Sequence, residues 1–186
     1  MIKLKDILLE IGDGSAKSFA FKKITGDSAE DYKGNDITEL IYKFTTDKKT
    51  IYMVSIDVDT WTGGSDGPGI QAEINFGAQT PGGGHSLDDT NMGEQYQVMS
   101  TIKDIVFEFI EEWQDHWYIH SIEVSPIKSE DGGDDDVMDA VDTRRGKLYL
   151  AYIRKQLPKL DKPYTVRVFN DYFLIQPQFE NPYDQA

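Results

Sequence analysis

Val98-Met99-Ser100-Thr101-Ile102-Lys103-Asp104-Ile105-Val106-Phe107-Glu108-Phe109-Ile110-Glu111-Glu112-Trp113 is the stretch whose reading decides the fold. Val98, Ile102, Ile105, Val106, Phe109, Ile110 and Trp113 fall at i, i+4, i+7, i+8, i+11, i+12 and i+15. On an α-helix these positions make one apolar stripe, with Asp104, Glu108, Glu111 and Glu112 off it. The stripe implies a start near Gln95. A one-faced helix of this length must bury its stripe against another layer.

The flanking sequence supplies that layer, because its period is two rather than 3.6. Upstream, Leu40, Tyr42 and Phe44 share one face of a strand over 37–45, and Glu39, Ile41 and Lys43 share the other. Thr46-Asp47-Lys48-Lys49 is a polar turn, and β-branched residues from Ile51 to Val58 form the return strand. Ile70, Ala72, Ile74 and Phe76 alternate with Gln71, Glu73 and Asn75 in a further strand. Phe19 and Phe21 suggest a first strand, before a loop over 25–36.

Downstream, Tyr118, His120, Ile122 and Val124 alternate against Ile119, Ser121 and Glu123, and Pro126 closes the strand. A second long helix is expected over about 137–157, with Val137, Val141, Leu148, Tyr149, Tyr152 and Ile153 as its stripe and Pro158 as its stop. Residues 164–169 and 172–175 flank Asn170-Asp171, a pair suited to a tight hairpin turn. A short helix over 3–11, ended by Gly12 and Gly14, opens the chain. Residues 177–186 read as a loose polar tail.

The expected order is α-β-β-β-β-α-β-α-β-β. Short turns between strands imply antiparallel pairing. The fold class is α+β: a single domain over 1–186, with an antiparallel twisted sheet covered on one face by two long helices. A chain of 186 residues with nine Phe, ten Tyr and three Trp can build such a core without staples. There is no Cys, which excludes disulfides, thiol chemistry and Cys-ligated zinc. No run of 18 apolar residues occurs, and Lys3 and Lys5 interrupt the opening, so a soluble chain without a secretory leader is expected.

Charge is the second informative feature. From Asp57 to Asp142 the sequence has 20 acidic residues and two basic ones, Lys103 and Lys128, while the whole chain carries −14. Residues 143–186 hold eight Lys/Arg against four Asp/Glu. Such an uneven field selects partners: it opposes direct binding to nucleic-acid phosphates or anionic lipid and favours basic surfaces.

Motifs for chemistry are weak. Ser129-Glu130-Asp131-Gly132-Gly133-Asp134-Asp135-Asp136 is rich in carboxylates but lacks the alternation and terminal Glu of a calcium loop. A solvated loop whose last acids sit at a helix N-terminus explains it better. His116 and His120 are four apart, but Trp117 to Val124 reads as a strand, where they would not converge as on a helix, and His85 stands alone in a Gly-rich loop. No Gly-x-Ser-x-Gly elbow is present. The Gly-rich stretches 59–69 and 77–96 do not lead directly from strand to helix as phosphate loops do. No metal or cofactor is expected.

The strand ending Ile122-Glu123-Val124-Ser125-Pro126, the acidic linker, Arg144-Arg145-Gly146-Lys147-Leu148-Tyr149 and Ala151-Tyr152-Ile153 resemble a segment of uncharacterised small proteins of tailed bacteriophages. The opening Met1-Ile2-Lys3-Leu4-Lys5-Asp6-Ile7-Leu8 is similar to starts of small phage reading frames. The resemblance covers about 98–157 and implies viral origin without a known activity.

The expectation is therefore a non-enzymatic acidic interaction module, phage-encoded, acting in the host cytoplasm or the virion. Its partner would be a basic host protein, which it inhibits, or a sibling virion subunit. The residues expected to serve it are Trp61, Asp131, Asp134, Asp135, Asp136, Arg144, Arg145 and Tyr149. The alternative is a small enzyme or ligand-binding protein with a site under the loops 59–69 and 77–96, using Asp57, Asp59, Glu73, Asn75 and His85.

Overall fold

The computed structural model describes residues 16–24, 28–30, 36–61, 68–79, 85–86, 94–126, 144–169 and 172–180. The expected opening helix and the acidic loop before the second long helix lie outside these residues. Nine strands form one sheet: β1 (Phe21–Ile24), β2 (Ser28–Glu30), β3 (Asp36–Thr45), β4 (Ile51–Trp61), β5 (Gly69–Gln79), β6 (His85–Ser86), β7 (Ile119–Pro126), β8 (Tyr164–Val168) and β9 (Phe173–Pro177). Among the described residues two helices join them, α1 (Gln95–Trp113) and α2 (Arg144–Gln156). A 3₁₀ turn at Leu157–Lys159 follows α2, with Pro158 where the helix can no longer continue.

Seven strands run side by side in the order β1-β3-β4-β5-β7-β9-β8, while β2 pairs with β3 and β6 with β5. The fold is α+β as expected, but the sheet is mixed, because β5 and β7 pair in parallel. The cause is α1. Nineteen residues at 1.5 Å rise carry the chain about 28 Å back along the sheet, so β7 starts at the same end as β5. The second helix is shorter than expected in the described residues, 13 residues from Arg144. β4 and β5 are longer than their alternation indicated, and they take residues 59–61, 69 and 77–79 from the expected loops. β2 lies within the stretch 25–36 read as loop.

The core lies between one sheet face and the helices. Tyr42, Val54, Ile56, Ile70, Ile74, Ile122 and Phe173 face Ile105, Phe109 and Ile110 of α1, all almost fully buried. Each such side chain contributes about 1.5–3 kcal/mol by leaving water. Phe44 stacks between Phe19, at 6.1 Å, and Tyr52, at 5.1 Å. Residues 18–19 are pinned to α1: the Phe19 N–H donates to Thr101 Oγ1 at 2.9 Å, and Ser18 contacts Ser100 and Asp104. α2 packs beside α1, and Tyr149 meets Phe76 at 5.5 Å.

Two backbone details set where strands turn or begin. Lys49 closes the β3–β4 turn with φ 71°, and its N–H donates to Thr46 O at 2.9 Å. At Gly69 a Cβ would collide with the Tyr118 carbonyl and lie 2.7 Å from the His120 ring. Only glycine allows β5 to begin this close to β7, where Ile70 N–H donates to Tyr118 O at 2.8 Å. The expected loose tail is anchored at its start: Gln178 N–H donates to Pro163 O, and Phe179 packs edge-on against Tyr118 and Tyr164.

Candidate functional site

Strand alternation that sends Leu40, Ile56, Ile74 and Val124 into the core sends their neighbours to the opposite face. The register then aligns those neighbours. Glu39 lies opposite Asp57, Asp57 opposite Glu73, and Glu73 opposite Glu123. Four carboxylates thus form one row across β3, β4, β5 and β7. Beyond them the row continues to Leu174 on β9 and Arg167 on β8. Neighbouring strands lie about 4.8 Å apart, so the acidic part of the row spans about 14 Å.

The surroundings hold this row in place. Asn75 Nδ2 donates to Glu73 Oε1 at 3.0 Å, and Ser125 Oγ donates to Glu123 Oε1 at 3.3 Å. Ile41, Ser55, Asn75 and Ser125 make the next row along, and Asp59 with Gln71 lies on the other side. Glu73 is exposed, and Glu39, Asp57 and Glu123 are half-buried. Burial raises the Asp57 carboxyl above the ordinary aspartate range, and the negative charges of Glu39, Glu73 and Asp59 raise it further. Like charges directly opposed on a sheet face are unfavourable, so the row is a cost to folding.

Of the residues expected at a ligand site, Asp57, Asp59, Glu73 and Asn75 come together on this face. His85 does not: it pairs with Gln79, six residues and about 20 Å along β5 from Glu73. Of the expected interaction residues, Asp131, Asp134, Asp135 and Asp136 lie outside the described residues. Trp61 ends β4 opposite Gly69, and Arg144 and Arg145 open α2. Tyr149 is buried under α2 against Phe76, where it is core rather than surface. Glu39 and Glu123 were not among the expected site residues. Their outward direction is legible from alternation, but their alignment depends on register.

Between α1, α2 and the sheet lies an apolar cavity of about 40 Å³, lined in part by Phe76, Val106, Val124, Tyr152 and Ile175. It has room for a methyl-sized group, far less than a ligand pocket needs. Among the described residues no group of three or more His, Asp or Glu is placed to hold a metal ion, and no helix is long and apolar enough to cross a membrane. No protein-family model, curated protein or solved structure matches the chain.

Proposed function

We propose that this protein is a non-enzymatic interaction module that engages a basic partner through the open face of its sheet. The observation that carries the reading is the in-register row Glu39, Asp57, Glu73 and Glu123. Four carboxylates placed side by side disfavour the fold, and a cationic surface laid over them would relieve that repulsion on binding. The net charge of −14 makes the chain as a whole draw cations in and turn phosphates away. A phage-encoded inhibitor of a basic host protein, or a virion subunit seated against a basic sibling, fits this chemistry.

A ligand-binding role is supported less. Asp57, Asp59, Glu73 and Asn75 share a broad sheet face, and small-molecule sites are concave and largely apolar.

Affinity capture tests the proposal with the wild-type chain and the variant Glu39→Gln/Asp57→Asn/Glu73→Gln/Glu123→Gln, in low and high salt. At about 1 M salt the screening length falls to about 3 Å, so a partner held by this face should be lost. The expected result is a basic protein retained by the wild type at low salt and lost from the variant. A partner retained equally by both, or insensitive to salt, refutes the role of this face.

A further inference from the structure

We infer that the outer side of α1, over its first turns, is the seat of a segment of this same chain: the apolar stripe of residues 3–11. The inference concerns the helical layer and does not depend on the sheet face opposite.

Burial around α1 points to a cover. A helix lying on a sheet hides one side and shows the other to water. Val98, Met99, Ser100, Thr101 and Ile102 are nevertheless all buried. Five consecutive residues go more than once round a helix of 3.6 residues per turn. Val98 and Ile102 belong to the core against the sheet, Thr101 accepts from the Phe19 N–H, and Met99 lines the cavity beneath α2. Ser100 is two residues from both Val98 and Ile102, roughly opposite them on the helix, so it points away from the sheet. It is still only 5 % exposed.

The same outer side opens further along the helix. Phe107, at i+7 from Ser100, is half-buried, and Glu111, at i+11, is exposed. The cover therefore lies over the first turns and runs out past Phe107, a strip of about 10 Å. The Ser18 hydroxyl sits 2.9 Å from the Ser100 hydroxyl and closes one edge of that strip.

The chain itself leads to the strip. Gln97 Nε2 donates to the Lys17 carbonyl at 3.4 Å, less than one turn before Ser100, so residues 1–16 depart from beside it. Leu4, Ile7, Leu8 and Ile11 fall at i, i+3, i+4 and i+7, with Lys5, Asp6 and Glu10 off the stripe. On a helix Leu4 to Ile11 measures about 10 Å, the length of the covered strip. Gly12-Asp13-Gly14-Ser15-Ala16 joins the two and spans up to about 17 Å, more than the roughly 10 Å width of a helix. Tethered so closely, the stripe is present at a millimolar effective concentration. Seated there, it leaves water and closes this side of α1 to other proteins.

A spin label tests the inference in the full chain. The sequence has no cysteine, so Lys5→Cys gives one attachment point for a nitroxide, off the stripe. Backbone amide signals of the isotope-labelled protein then report which residues lie near it. The expected result is strong quenching at Ser100, Lys103 and Phe107, with Glu73 and Asn75 on the far side of the sheet unaffected. Ile7→Asp/Leu8→Asp in the labelled chain should restore those signals and speed amide exchange at Ser100 and Thr101 about tenfold. Lys3→Asp, off the stripe, should change neither. Quenching on the sheet face, quenching nowhere, or quenching that survives Ile7→Asp/Leu8→Asp would overturn the inference. A mixed sample, with the nitroxide only on chains lacking the isotope, separates the remaining occupant: quenching there would assign the seat to residues 3–11 of a second copy and overturn the internal contact.

Discussion

Asp57→Asn should make this protein more stable at neutral pH, because Asp57 sits in the middle of a row of like charges. Its register partners are Glu39 on one side and Glu73 on the other. Directly opposed like charges cost roughly 0.2–1 kcal/mol per pair, so removing the two pairs gains about 0.4–2 kcal/mol. For a chain of this size each kcal/mol moves the melting temperature by about 2–4 °C, giving a rise of about 1–8 °C. The pH dependence has a definite sign. The folded-state carboxyl is raised above its ordinary value, by burial first and then by Glu39, Glu73 and Asp59. Above the unfolded-state value of about 3.9, the unfolded chain gives up this proton before the folded chain does. Stability from this group therefore falls as pH rises through the window between the two values, and the full cost is present above it. The advantage of Asp57→Asn should be largest near pH 7, shrink in high salt and vanish near pH 3. Urea denaturation of both proteins at several pH values measures it. A variant less stable than wild type at pH 7, or a gain equally large at pH 3, would refute the electrostatic reading of the row.

Phe109→Ala should cost about 3–5 kcal/mol in urea unfolding, since its ring is fully buried between α1 and the sheet. Gly69→Ala should destabilise the fold by about 1–3 kcal/mol, read as a lower melting temperature, because the added methyl meets the Tyr118 carbonyl and the His120 ring. The Tyr42 and Tyr164 hydroxyls are buried without a hydrogen-bond partner among the described residues. Burial, with the charges of Glu108 and Glu112, pushes Tyr42 well above the ordinary tyrosine value, and burial with Tyr118 pushes Tyr164 up to about 12. Both groups resist ionisation in the fold, so stability should fall as pH rises from about 10 towards 12. Tyr42→Phe should leave stability at pH 7 unchanged or raised, and move alkaline unfolding to higher pH.

The local elements were legible in the sequence because burial imposes a period. The stripe from Val98 to Ile110 could only be a one-faced helix, and the Leu40/Tyr42/Phe44 alternation could only be a half-buried strand. The turn at Thr46–Lys49 and the Tyr164–Ile175 hairpin followed from their polar and Asn-Asp punctuation. What the sequence hid was pairing. The parallel contact of β5 with β7 joins strands separated by a whole helix, and alternation carries no information about which strands meet. Loop boundaries failed for a related reason: Asp59, Gly69 and Gly77 have poor strand propensity, yet the paired ladder carries β4 and β5 through them.

The candidate site divided in the same way. Asp57, Glu73 and Asn75 were singled out for their position near glycine-rich loops, and the structure brings them together for another reason, cross-strand register. Glu39 and Glu123 lie 84 residues apart in sequence and join the row only through β4 and β5. Tyr149 drew notice as an interface residue through the stretch Arg144–Tyr149 that carries the phage resemblance. Its place on the inward face of α2, against Phe76, makes it core.

Carboxyl-detected NMR of the full chain, titrated with a synthetic lysine-rich peptide, tests the sheet-face site most directly. The side-chain carboxyl signals of Glu39, Asp57, Glu73 and Glu123 should shift together and saturate at one peptide per chain. Shifts confined to the acidic stretch 130–136, with those four signals unmoved, would contradict the assignment of binding to the sheet face.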